Sequence, residues 1–214
     1  VNKHPEFVTI LQEIVQLKGL KRLRYTSPYP TYYSKELLAL HEKEEKLCPH
    51  IHMPLQSGSD NIVKKMCRGY TVKQTKDRID QIRKLKRDIS ITTDIIVGFP
   101  GETEADFKKT LSLVKYGNFD MIYIGIYSPR PGTLAAKNYP DDISRSVKRD
   151  RRNRLNELLK DLSRTNNEKE IETTKTVLIN SIKKENRLNV SSFDRFIIEG
   201  YTDNMKQTII QLKA

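Results

Sequence analysis

Strand-like and helix-like runs alternate over roughly the first 135 residues, and this alternation restricts the fold more tightly than any other feature. Phe7, Ile10, Leu11, Ile14 and Val15 recur at helical spacing, with Gly19 where a C-terminal cap belongs. Leu20 to Ser27 alternates like a strand until SPYP breaks it. Ser34 is expected to cap a helix carrying Leu37, Leu38 and Leu40. His50 to Leu55 reads as a short strand closed by QSGSD. A capping box, Thr71-Val72-Lys73-Gln74, precedes Ile79, Ile82 and Leu85 on one helical face. Ile89 to Gly98, rich in β-branched residues, is the strongest strand signal. GFPGET turns it into a helix with Phe107, Leu111 and Val114 inward and Gly117 as its stop. Met121 to Ser128 is a fourth strand, ended by PRPGT.

Units of about 25–35 residues in this alternation predict an α/β fold with a parallel sheet. Four units do not close a barrel, so the expectation is a small doubly wound sheet or a piece of a larger barrel. The character changes after Pro140. Arg145, Lys148, Arg149, Arg151, Arg152 and Arg154 crowd one stretch, followed by Leu155, Leu158, Leu159 and Leu162 at helical spacing. A solvated charged face on a docking helix outweighs a dedicated RNA contact as the reading of that stretch. From Thr174 the runs KTVLINSI, RLNV, RFIIEGYT and TIIQL suggest a small all-β module. The expected divisions are 1–140, 141–172 and 173–214.

Charge and cysteine usage narrow the setting. The chain carries a formal net charge of +12, which favours a polyanionic partner, nucleic acid before membrane. No apolar run approaches the roughly 18–20 residues of a membrane span, and the first stretch lacks the pattern of a secretory signal. The first residue is Val, so a fragment or a processed product is expected. Cys48 and Cys67 are too isolated for a disulfide framework or a tetrahedral metal site, and a reduced cytoplasmic setting is expected.

In parallel α/β folds, ligands bind where strands run into their helices. Candidate positions are therefore Thr26, Ser27 and Tyr29; Gln56, Ser57, Gly58 and Ser59; Asp94 with Gly98 to Thr103; and Ser128, Arg130, Gly132 and Thr133. Helix capping accounts locally for Ser59-Asp60 and Thr103, and a tight turn for Gly98 and Gly101. Asp94 stands apart, because a carboxylate in an apolar strand is costly to desolvate unless something polar meets it. It is either bonded to protein or placed for a ligand such as a ribose or an amine. His50 and His52 share a strand face, but no acidic or cysteine partner stands nearby to make a metal site.

Five ordered segments go further: RLRYTSPYP, CPHIHMPLQSGSD, MCRGYT, TTDIIVGFPGETEADF and YSPRPGT. In order and spacing the chain resembles the radical SAM methylthiotransferases, closest to the branch of tRNA 2-methylthio-N6-isopentenyladenosine synthases. Tyr29 departs from the His often found there in the family's TSPHP. The resemblance covers essentially the whole chain and implies a partial (β/α)6 radical SAM barrel, four of six βα units, over 1–140. A basic connecting helix over 141–172 and an incomplete TRAM-like RNA-binding module over 173–214 would follow. It implies S-adenosyl-L-methionine (SAM) as cofactor, met by Gln56, Ser57, Asp94 and Arg130, with Arg130 equally suited to a tRNA phosphate. It also implies 4Fe-4S clusters whose CxxxCxxC ligands are absent from these residues, so that the chain alone is expected to be inactive. The implied reaction adds a methylthio group to C2 of isopentenylated adenosine beside the anticodon. The implied partner is a tRNA anticodon stem-loop, with no membrane and a monomeric whole enzyme. Siblings acting on threonylcarbamoyl-adenosine or on a ribosomal-protein aspartate, and a non-catalytic RNA-binding fragment, are the alternatives.

Overall fold

The structure, a computed structural model, describes residues 5–26, 28–184 and 195–213. Elements run α1 (Pro5–Ile14), a 3-10 turn (Pro30–Tyr32), α2 (Lys35–Lys43), β1 (His50–His52), α3 (Asp60–Lys65) and α4 (Val72–Arg83). Then follow β2 (Ser90–Val97), α5 (Glu104–Gly117), β3 (Met121–Ile126), α6 (Leu134–Asn138) and α7 (Arg145–Glu168). The chain ends in β4 (Val177–Lys184), β5 (Arg195–Thr202) and β6 (Gln207–Lys213).

β1, β2 and β3 form a parallel sheet in that order, with His52 opposite Thr92 and Asp94 opposite Tyr123. Among the described residues, only three of the four expected strands form. Leu20 to Thr26 makes a single parallel bridge, Leu23 to Leu47, with the Leu23 N–H 2.7 Å from the Lys46 carbonyl. The reason lies in its charged residues. Arg22 and Arg24 reach away to backbone carbonyls of the second sheet, at Thr176, Tyr201 and Asp203 (2.7, 3.0 and 2.9 Å). β1 is likewise shorter than expected. Pro54 has no N–H to offer a ladder, and the chain rejoins β2 only at Gln56, whose N–H meets the Asp94 carbonyl at 2.8 Å. The expected RLNV run and Ser27 lie outside the described residues.

The core joins Ile51, Met53 and Leu55 to Ile91, Ile95 and Val97 of β2 and to Phe107 and Val114 of α5. Leu155 brings α7 onto it, while Leu111 is only partly buried. Ser34, Thr71 and Thr103 cap α2, α4 and α5 with their side chains. Ser59 does not cap α3; its hydroxyl instead donates to Asp106 Oδ1 at 2.5 Å. α5 stops at Gly117 because Asn118 turns left-handed (φ 44°) and any side chain at Gly117 would strike the Phe119 ring.

β4, β5 and β6 pair antiparallel in a second sheet. It docks at the amino end of β3, where Lys206 Nζ lies 2.6 Å from Asp120 Oδ1 and Asn204 Nδ2 lies 2.8 Å from Glu170 Oε1. The cross-strand register, with a bulge between Ile179 and Ser181 in β4, puts Ile179, Ile182, Ile198, Ile210 and Leu212 on one face, and Ile182 is 62% exposed. Among the described residues, no helix is long and apolar enough to cross a membrane.

Candidate functional site

An open cleft of about 950 Å³ lies at the carboxyl ends of β2 and β3. Gln56, Asp94 and Arg130 all line it, so three residues distant in sequence meet where parallel sheets place ligands. Ser57 does not line it. Its hydroxyl belongs to a residue 1% exposed, sits 3.3 Å from Thr110 Oγ1 and accepts the Ser59 N–H at 3.2 Å. Neighbouring Gly58 lies so close to α5 that a Cβ there would be 2.5 Å from Thr110 Cα. That loop is clamped to the helix. Thr26 and Tyr29 also lie off the cleft, Tyr29 accepting a bond from Arg68 at 3.1 Å.

Asp94 is held by a chain of side chains on one face of the sheet. His52 Nε2 lies 3.2 Å from Asp94 Oδ2, and Thr92 Oγ1 lies 2.9 Å from both His52 Nδ1 and His50 Nε2. An ionised Asp94 only accepts. In the neutral tautomer of His52 that donates to it from Nε2, His52 Nδ1 accepts from the Thr92 hydroxyl, and that hydroxyl accepts from His50 Nε2. The remaining His50 nitrogen is left as a lone-pair acceptor, buried and without a partner. Burial, reinforced by the charge of Arg24, pushes the His50 pKa down to about 3, which keeps it neutral. The Asp94 side chain is still 35% exposed and faces the cleft. It is both bonded to protein and open to a ligand.

Gln56 holds a left-handed backbone (φ 63°) uncommon for a residue with a side chain. Bonds on both sides, from its N–H to Asp94 O and from the Ile96 N–H to its own carbonyl at 2.9 Å, keep it there. Arg130 sits on the loop after β3, its carbonyl accepting the Thr133 hydroxyl at 2.9 Å, and the residue is exposed.

The GFPGET turn follows β2 and reaches the cleft through Phe99. Gly98 and Gly101 both have positive φ (72° and 71°), and the Gly98 N–H donates to Glu102 Oε2 at 2.7 Å. Arg151 of α7 clasps the same oxygen at 2.8 Å in a buried pair. Glu102 is thus committed to the fold, and burial raises its pKa despite Arg151. Phe99 from this turn, with Tyr123, Ile126, Leu134 and Tyr139, gives the cleft an apolar wall. Lys65 and Arg68 also line the cleft and add positive charge. Those two come from α3 and the MCRGYT segment, and nothing in local spacing marks them; only the fold brings them to the cleft.

Among the described residues, no group of three His, Cys, Asp or Glu side chains is arranged to hold a metal. Cys48 is buried and Cys67 exposed, so these residues do not fit an iron–sulfur cluster, which takes a set of thiolates.

The α/β fold and the strand-end cleft define a class. Residues 2–114 match the model of the radical SAM superfamily, and the chain belongs to it. The structure is similar to coproporphyrinogen III oxidase of Escherichia coli, a radical SAM enzyme, with a TM-score of 0.58 at 19% identity over 73% of this chain and 36% of that one.

More particular are the tRNA-2-methylthio-N(6)-dimethylallyladenosine synthases. The chain is 47% identical to that of Burkholderia thailandensis over 146 residues, covering 68% of this chain and 32% of the relative. To that of Ehrlichia chaffeensis it is 41% identical over 201 residues, covering 94% and 43%. For Chromobacterium violaceum the figures are 39% over 180 residues, 84% and 40%. The chain thus spans between 32% and 43% of the length of these curated relatives.

Proposed function

We propose that this chain is the cleft-bearing and RNA-facing part of a tRNA methylthiotransferase acting on prenylated adenosine. Identity of 39–47% to synthases of that name carries the reading. The cleft supports it, since a nucleoside cofactor and a prenylated base need polar groups beside an apolar wall. Asp94 and Gln56 are suited to the ribose or amino groups of SAM, and Arg130 to a carboxylate or a phosphate in bidentate fashion. In this reading SAM supplies the transferred methyl group, while cluster thiolates come from outside these 214 residues. Residues 1–140 form part of a radical SAM barrel, 141–172 a connecting helix and 173–214 a TRAM-like module. The substrate is tRNA at the anticodon loop, and the setting is the cytoplasm.

Disrupting the reading frame in its source organism tests this function. Mass spectrometry of total tRNA nucleosides should show prenylated adenosine accumulating as its methylthio form disappears. An unchanged methylthio level, with loss instead of the methylthio mark on threonylcarbamoyl-adenosine or a ribosomal-protein aspartate, would assign the chain to a sibling branch.

A further inference from the structure

The six basic residues that crowd the start of α7 divide into two sets in the structure. Lys148 is 3% exposed and bonds both oxygens of Asp141, at 2.5 and 2.7 Å. Arg151 is bound to Glu102, and Arg154 bridges Glu104 (2.7 Å) and Asp150 (3.2 Å). These three serve the fold. Arg145, Arg149 and Arg152 are exposed and have no ion pair among the described residues. Their spacing of i, i+4 and i+7 puts them on one stripe of the helix, about 10 Å long at a rise of roughly 1.5 Å per residue.

The position of this stripe gives it a direction. Near its start, Lys148 Nζ donates to the carbonyl of Tyr127, a residue of the cleft wall. Further along, Asn156 continues the same stripe into a groove of about 440 Å³ that it shares with Lys160, Ser163 and Met121 at the start of β3. Ser163 bonds the Asp120 carbonyl at 3.0 Å, and Asp120 holds Lys206 of the second sheet. The stripe therefore runs from the rim of the cleft towards the β4–β6 sheet. Of the acidic groups near it, Asp141, Glu104 and Asp150 are engaged by the fold-serving set, and Glu157, which lines the groove, pairs with Lys160 at 2.7 Å.

We propose that Arg145, Arg149 and Arg152 form a phosphate track that carries the backbone of an RNA substrate between the cleft and the second sheet. The proposal rests on the reading that RNA is the substrate, and it adds which side of the molecule the RNA follows. Guanidinium groups suit phosphate oxygens, and a track of this kind positions the nucleic acid without reading sequence.

The test is binding of a fluorescein-labelled tRNA anticodon stem-loop to the 214-residue chain, followed by anisotropy across a KCl series. Each neutralised phosphate contributes about 0.7–0.9 to the slope of log affinity against log salt. The variant Arg145→Gln/Arg149→Gln/Arg152→Gln should reduce that slope by roughly 2–3 and weaken binding at least about tenfold at low salt. A control with the same loss of charge, Lys84→Gln/Lys109→Gln/Lys115→Gln, should keep most of the slope. Wild-type slope in the arginine variant, or equal loss in the control, overturns the track while leaving RNA as the substrate. No salt-dependent binding by the unaltered chain would overturn both.

Discussion

Asp94 and Ser57 stand at neighbouring strand ends, and their surroundings give them opposite duties. Asp94 is gripped by His52 through one oxygen and faces the cleft, so Asp94→Asn keeps an acceptor for His52 but loses the charge. SAM binding, measured by equilibrium dialysis, should weaken about tenfold or more, with little change in melting temperature. Ser57 bonds Thr110 and Ser59 within the fold. Ser57→Ala should cost about 1 kcal/mol of stability and leave SAM affinity unchanged. The sequence could mark both residues as strand-end polar groups. It could not separate them, because the difference arises from how closely Gly58 lies against α5. The buried histidines make a second prediction at this scale. Burial lowers His50 to about 3 and His41 to about 4 from 6.5, so both stay neutral in the fold while the unfolded chain takes up protons. Stability from these groups is full above pH 6.5 and is lost as pH falls towards 4. His50→Gln should flatten that loss in pH-dependent melts; an unaltered pH profile would contradict it.

Among the elements, α7 shows most clearly what a charge run conceals. Its leucine spacing made the docking face legible, and Leu155 does enter the core. The division of its basic residues was not legible, since the partners Glu102, Glu104 and Asp141 lie on other segments. Arg151→Met would strand Glu102 in the interior, a loss of roughly 3–5 kcal/mol. Burial already raises the Glu102 pKa, so its contribution to stability is fullest in acid and is lost as pH rises through the raised value. The melting temperature of Arg151→Met should therefore fall further below wild type at pH 8 than at pH 5. Equal deficits at both values would show that Glu102 does not titrate with this pair. The segment Leu20 to Thr26 is the converse case. Its alternation was visible, but a ladder needs a partner along its length, and Arg22 and Arg24 are drawn instead to the second sheet.

At the scale of the molecule, the two sheets have edges and an apolar face left uncovered among the described residues. β1 and β3 bound the parallel sheet, and the second sheet shows an apolar face that includes Ile179 and Ile182. Such surfaces favour association, so the purified chain should melt at a temperature that depends on its concentration. A sharp, reversible, concentration-independent melt of a monomer would contradict this. The repeating βα pattern and the five ordered segments made the class of fold legible. The cleft itself was legible only in part, because Lys65, Arg68 and the apolar wall are assembled by packing. The most direct test joins this chain to the amino-terminal portion of the Burkholderia thailandensis relative. The purified chimera would be reconstituted anaerobically with iron and sulfide and given reductant, SAM and prenylated tRNA, with nucleosides read by mass spectrometry. The methylthio product should form, survive Ser57→Ala and be lost with Asp94→Asn. SAM cleavage without methylthiolation of that tRNA would contradict the assigned function.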